Sequence, residues 1–116
     1  MDSLRIDKEK SGQVTLIRIS GEFDFQTGGE FLAFVKSLTA DELKKVVLNM
    51  SGVEWIDSGS LGAVVNLFQK VNLVKGRIIL SDLSGKIRKV LQLTNLDSIL
   101  PTADTERDAL AQLEEQ

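Results

Sequence analysis

The stretch from Val46 to Leu80, VVLNMSGVEWIDSGSLGAVVNLFQKVNLVKGRIIL, decides the fold. Val46-Val47-Leu48-Asn49-Met50 is apolar, β-branched and free of Gly and Pro, which predicts a buried strand. Asp57-Ser58-Gly59-Ser60-Leu61-Gly62 follows a loop and opens a helical pattern. Leu61, Val64, Val65, Phe68 and Val71 recur at i, i+3, i+4, i+7 and i+10, the signature of one helix face. Gly76 stands where a helix C-terminus favours a left-handed residue. Arg77-Ile78-Ile79-Leu80 predicts a second buried strand. Strand, helix and strand in this span form a βαβ unit with parallel strands. Ligands and partners meet such sheets where strand ends feed helix starts, so Asp57 and Ser58 lie at the edge of interest.

Outward from this unit, Leu4-Arg5-Ile6 and the segment Gln13 to Ser20 read as two strands of a hairpin turning at Ser11-Gly12. Gly21-Glu22-Phe23-Asp24 closes the second strand. Thr27-Gly28-Gly29-Glu30 has the spacing of a capping box, with Thr27 as cap and Glu30 reaching back. Phe31, Phe34, Val35 and Leu38 give that helix its apolar stripe. Gly28 and Gly29 are poor helix formers, so this start is expected to be mobile or closely approached by another backbone. Ser84 caps a third helix with Ile87, Val90 and Leu91 inward and Lys86, Arg88 and Lys89 outward. Ile99-Leu100 is a short last strand stopped by Pro101. Thr105-Glu106-Arg107-Asp108 opens a final helix with Ala109, Leu110 and Leu113 inward. Its acidic end, Glu114-Glu115-Gln116, opposes the helix dipole and is expected to fray. The order β-β-α-β-α-β-α-β-α describes one α/β domain over residues 1–116, a mixed sheet packed with about four helices.

The composition narrows the function. With 116 residues and 42 % apolar content, the chain supports one core. It has no Cys, which removes thiolate and disulfide chemistry. It has no His, which removes a Ser-His-Asp triad and imidazole metal sites within this chain. No apolar run approaches the ~20 residues of a membrane span. The N-terminus Met1-Asp2-Ser3-Leu4-Arg5 does not resemble a signal peptide, so a cytoplasmic location and no membrane partner are expected. The net charge of −3 and scattered Lys and Arg argue against nucleic-acid binding.

Ser58 is the residue of interest. Its plain role would be the N-cap of the central helix. Small neighbours, Gly59 and Ser60, leave its hydroxyl exposed in this reading, and a helix N-terminus tolerates an added phosphate. Ser58-Gly59-Ser60-Leu61-Gly62 nearly matches a nucleophile elbow, but no His can serve Ser60 as base, so no catalytic residue and no enzyme is expected. Asp24 and Asp57 sit at strand-end loops and are expected to approach each other. Paired carboxylates can do acid–base work or bind Mg²⁺, yet more often they are caps or solvated acids; no metal or other cofactor is expected. Trp55 is expected to pack under the loop, with a partner interface as its second role. Lys86, Arg88 and Lys89 read as a solvated helix face.

Gly21-Glu22-Phe23-Asp24, Val47-Leu48-Asn49-Met50 and Ile56-Asp57-Ser58 with Leu61-Gly62 resemble the STAS domain, and within it the bacterial anti-sigma factor antagonists. The resemblance implies that the Ser after the Asp, Ser58 here, is phosphorylated by an anti-sigma factor, a kinase of the histidine-kinase-like ATPase fold. It implies reversal by a PP2C-type phosphatase, and binding of the unphosphorylated form to the anti-sigma factor, which frees the sigma factor. Asp24, Asp57, Ser58, Gly59 and Ser60 would form the partner surface. The family usually reads Asp-Ser-Ser/Thr/Ala-Gly-Leu-Gly. Gly59 and Ser60 stand here in swapped order, which makes Ser60 a second candidate phosphoacceptor. Gly28-Gly29 stands where the family commonly has Ala and Pro. A different use of the same domain, as an unmodified scaffold subunit of a signalling or lipid-transport assembly, is the alternative.

Overall fold

The computed structural model describes residues 4–114. Expectations for Met1-Asp2-Ser3 and for Glu115-Gln116 lie outside them. Five strands form one sheet in the order β1-β2-β3-β4-β5. They are β1 (Leu4–Ser11), β2 (Val14–Gly21), β3 (Lys45–Gly52), β4 (Arg77–Ser81) and β5 (Thr102–Ala103). β1 and β2 pair antiparallel through a tight turn in which Gly12 has φ +60°, a left-handed conformation that glycine adopts without steric penalty. All other neighbours are parallel. The helices are α1 (Phe25–Lys36), α2 (Ser58–Leu73), α3 (Gly85–Leu93) and α4 (Glu106–Glu114), with a 3₁₀ turn at Leu96–Ser98.

Alternation along the strands divides the core into two layers. Ile17, Ile19, Val46, Leu48, Met50, Ile78 and Leu80 face α1, α2 and α3. Val14, Leu16, Val47 and Ile79 face α4 through Ala109 and Leu113. β3 is therefore covered on both faces, which explains its unbroken apolar run. The α4 layer ends in a polar row: Arg18 pairs in register with Asn49, and Asn49 with Ser81. Arg18 donates to both Glu106 carboxylate oxygens at 2.9 and 3.0 Å, and to Glu9 at 2.8 Å. Asn49 Nδ2 donates to Glu106 at 2.7 Å. This network seats the start of α4 against the strand ends.

Several sequence expectations are corrected. Gly76 is not the left-handed residue after α2; Lys75 is, with φ 56°. A Cβ at Gly76 would lie 2.4 Å from the Leu43 carbonyl oxygen and 2.8 Å from that of Lys44, so backbone crowding demands this glycine. Ile99-Leu100 is not the last strand. Leu100 is buried beyond the 3₁₀ turn, and pairing with β4 begins after Pro101, at Thr102. The buried stripe of α2 is Ser60, Ala63, Val64, Leu67 and Val71, about one residue round from the expected face. Leu61 and Phe68 are only partly buried beside the core, because small side chains at Ser60 and Ala63 occupy the inner line.

β2 and β3 approach closely where they leave the sheet. Their register shifts between Arg18 and Ser20, and Ser20 then faces Gly52. A Cβ on Gly52 would stand 2.3 Å from that of Ser20. Gly21 follows with φ 100°. The shift brings the β2–α1 and β3–α2 loops side by side at one end of the sheet.

Candidate functional site

Two helices start at this end, and each opens with the same device. At α1, Asp24 is the N-cap, and its carboxylate accepts the Thr27 amide at 3.0 Å. The Thr27 hydroxyl in turn accepts the Asp24 amide at 2.9 Å. At α2, Asp57 is the N-cap, and Oδ1 accepts the Ser60 amide at 2.9 Å. The Ser60 hydroxyl accepts the Asp57 amide at 3.1 Å. Each is a capping box with the usual chemistry inverted, the acid at the cap and the hydroxyl three residues on.

These boxes correct two readings. Thr27 does not cap α1 with Glu30 reaching back; Thr27 is the third helical residue, and Glu30 is exposed on the second turn. Ser58 does not cap α2; it is the first helical residue. The missed signal was present in the sequence as Asp-x-x-Thr at 24–27 and Asp-x-x-Ser at 57–60.

Ser58 is exposed, and among the described residues its hydroxyl makes no hydrogen bond. Ser60 is 0 % exposed and its hydroxyl is engaged by Asp57. A phosphoryl group on Ser60 would require opening the helix start. The order Gly59-Ser60 follows from the same geometry, since the hydroxyl at position 60 closes the box.

Asp57 also reaches outside its own helix. Its Oδ2 accepts the amide of Phe25, the first residue of α1, at 2.8 Å. The amide of Ser60, more than any other group, holds the Asp57 carboxyl below its usual range, with smaller help from the Ser60 hydroxyl and the Phe25 and Gly59 amides against a desolvation penalty. Asp57 is thus an anion engaged by backbone donors. Asp24 and Asp57 do come to one locus, each committed to helix amides. Such engaged acceptors are poorly disposed as a general acid–base pair. Among the described residues no group of three or more acidic side chains could hold a metal ion.

Gly28 and Gly29, expected to loosen α1, have separate roles. Gly28 is buried, and a Cβ there would stand 3.7 Å from the Gly59 carbonyl oxygen and the Ser60 Cα. The approach of a second backbone is therefore real. Gly29 faces open space.

Two aromatic rings flank the locus. Phe25 is 79 % exposed and Trp55 46 % exposed. Trp55 does not pack under its loop as expected. It lines a notch of about 230 Å³ with Gly21, Glu22, Phe23, Gly52 and Glu54. Sequence reasoning passed over Phe25 because a lone Phe beside a polar loop carries no periodic signal. Lys86 and Lys89 are exposed on α3, away from these loops in the sequence, and Arg88 pairs with Asp104 at 3.1 Å. No helix among the described residues is long and apolar enough to cross a membrane.

The sequence pattern of the STAS domain family matches residues 5–109. An anti-sigma F factor antagonist of Paenibacillus polymyxa is 26 % identical over 113 residues, covering 97 % of both chains. The crystal structure of a Thermotoga maritima protein described as a candidate anti-sigma factor antagonist superposes with a TM-score of 0.84 at 27 % identity, over 94 % of each chain. The Bacillus cell fate determinant SpoIIAA in its phosphorylated form has the same fold, with a TM-score of 0.69 at 24 % identity over 93 % of this chain and 98 % of that one.

Proposed function

Since the chain belongs to the STAS domain family, we propose that it is an anti-sigma factor antagonist switched by phosphorylation of Ser58. In its unmodified form it binds an anti-sigma factor through the surface around Asp24, Asp57, Ser58 and Gly59, and the sigma factor is released. The anti-sigma factor is itself the kinase, of the histidine-kinase-like ATPase fold. It transfers a phosphoryl group to the Ser58 hydroxyl, and a PP2C-type phosphatase removes it. The protein acts by binding and performs no chemistry of its own. The relative covering nearly all of the chain is named as an antagonist of an anti-sigma factor, which supports the class of partner.

The observation that carries this reading is the division of labour between Asp57 and Ser58. Asp57 makes the cap, so the Ser58 hydroxyl is exposed and free of any structural duty. Adding up to two negative charges there leaves the capping box intact, and the helix N-terminus stabilises them. The fold survives, while the partner meets new charge and bulk on its docking surface.

Incubation with the anti-sigma kinase of the same organism and ATP, followed by peptide mapping, tests the switch. One phosphate on Ser58 is expected, with none on Ser58→Ala. Wild-type protein that acquires no phosphate, or acquires it elsewhere, removes the proposed regulation. Purification from its own cells with a membrane transport assembly, and without such a kinase, would favour the scaffold role instead.

A further inference from the structure

One carboxylate joins the starts of two helices. Asp57 Oδ1 serves α2 through the Ser60 amide, and Oδ2 serves α1 through the Phe25 amide. A second contact reinforces the link. A Cβ on Gly59 would lie 2.9 Å from Phe25 Cδ1 and 3.1 Å from its Cα, so Phe25 rests directly on the backbone of residue 59. Phe25 is nevertheless 79 % exposed. An exposed aromatic held at its amide and along one edge is an apolar contact prepared in advance, which lowers the entropy lost when a partner covers it. Ser58 lies between the two residues that hold it.

Building on Ser58 as the modified residue, we propose that Asp57 is a positioning residue that, with Gly59, sets Phe25 as an apolar contact for the anti-sigma factor, and that charge placed on Ser58 loosens Phe25. Phosphorylation is then read at the start of α1 as well as at α2. The cause is local electrostatics. A phosphoryl group one residue from Asp57 repels its carboxylate, and of the two bonds that carboxylate accepts the one from Phe25 yields. The Asp57–Phe25 bond is the outlying one of the pair, because it spans two loops and the Ser60 bond closes a single helical turn.

Amide exchange of Phe25 followed by NMR tests the coupling without any partner. In Asp57→Ser the cap of α2 is retained, since Ser is a good N-cap, but the shorter side chain does not reach Phe25. Exchange at Phe25 is expected to quicken roughly tenfold, with the thermal midpoint lowered by about a few degrees, less than in Asp57→Ala. Ser58→Glu is expected to quicken it in the same direction. Phe25 exchange identical to wild type in Ser58→Glu overturns the coupling, even where phosphate maps to Ser58. Binding to the anti-sigma factor used above tests the contact. Phe25→Ala is expected to weaken it roughly tenfold, and to weaken it less when Ser58→Glu is already present. Equal loss in both backgrounds, or no loss in either, overturns the proposal. Failure of phosphate to appear on Ser58 is a separate result, which removes the switch and leaves the amide measurement decisive for the coupling.

Discussion

The starts of α1 and α2 use the same capping box and do different work with it. Asp24 caps its own helix through the Thr27 amide. Asp57 caps its own helix and also takes the first amide of its neighbour. The residue after each cap differs as well: α1 begins with an exposed Phe, α2 with an exposed Ser. In both, an acid makes the cap and the first helical residue is exposed. At α1 that position carries an apolar ring whose amide is held by Asp57, suited to contact. At α2 it carries a hydroxyl, suited to modification.

The largest expected effect comes from placing charge at the α2 start. Ser58→Glu should weaken binding to the anti-sigma factor by roughly a hundredfold or more, because like charge or unpaired charge at an interface costs several kcal/mol. Titration calorimetry against the unmodified kinase measures it. Wild-type affinity in this variant would make the two helix starts functionally equal.

The two caps themselves come next. Asp57→Ala should destabilise the fold by about 2 kcal/mol, since two amides lose their acceptor, and Asp24→Ala by about 1 kcal/mol. Urea unfolding of both variants decides it. Equal losses would mean that the bond from Asp57 to Phe25 contributes nothing to stability.

A smaller effect contrasts this end of the sheet with the opposite face. Arg18, through its hydrogen bonds, is the main reason the Glu106 carboxyl lies below its usual range, with Asn49 adding to this and desolvation opposing it. The Arg18 guanidinium is shifted upward by the same pairing and by Glu9. The folded Glu106 carboxyl is thus more acidic than in the unfolded chain. Its contribution is complete above the unfolded value and is lost as pH falls through the folded one. Both partners are partly exposed, so screening keeps the contribution of this bidentate pair to about 1 kcal/mol. Arg18→Met should flatten the acid limb of a stability–pH curve, and an unchanged limb would show that the α4 seat does not depend on this ion pair.

The smallest effect distinguishes the adjacent glycines of α1. Gly29 faces open space, and Gly29→Ala should stabilise by roughly 0.5 to 1 kcal/mol. Gly28→Ala places its methyl against the α2 backbone at ordinary contact distance, so it adds buried contact and should gain at least as much as Gly29→Ala. Thermal melts of the two variants rank them. A loss at Gly28 would mean that the two helix starts are packed too closely for a methyl between them.

The fold was largely legible in the sequence because its cause is local and periodic. β3 read as buried on both faces because Val46, Val47, Leu48 and Met50 leave no polar alternation, and the βαβ order followed from length and spacing. The α2 stripe was misplaced by about one residue because Ser60 and Ala63 line the inner face without a hydrophobic signal. Gly76 was recognised as necessary but for another reason, since only the fold brings the Leu43 and Lys44 carbonyls against it. Asp24, Asp57 and Ser58 could be placed at the helix starts from residue type and position. Their assignments within the caps were not legible, because Ser, Thr and Asp are all good caps and sequence alone does not rank them.

By itself the sequence determined the α/β class, the order of elements along the chain, and the lack of imidazole and thiol groups in it. Tertiary structure alone decided that Ser60 is sealed, and that Asp57 holds Phe25 from 32 residues away. Burial and hydrogen bonding between separate loops depend on the register shift that draws β2 and β3 together at their ends. Such long-range placement leaves no periodic trace in a single chain.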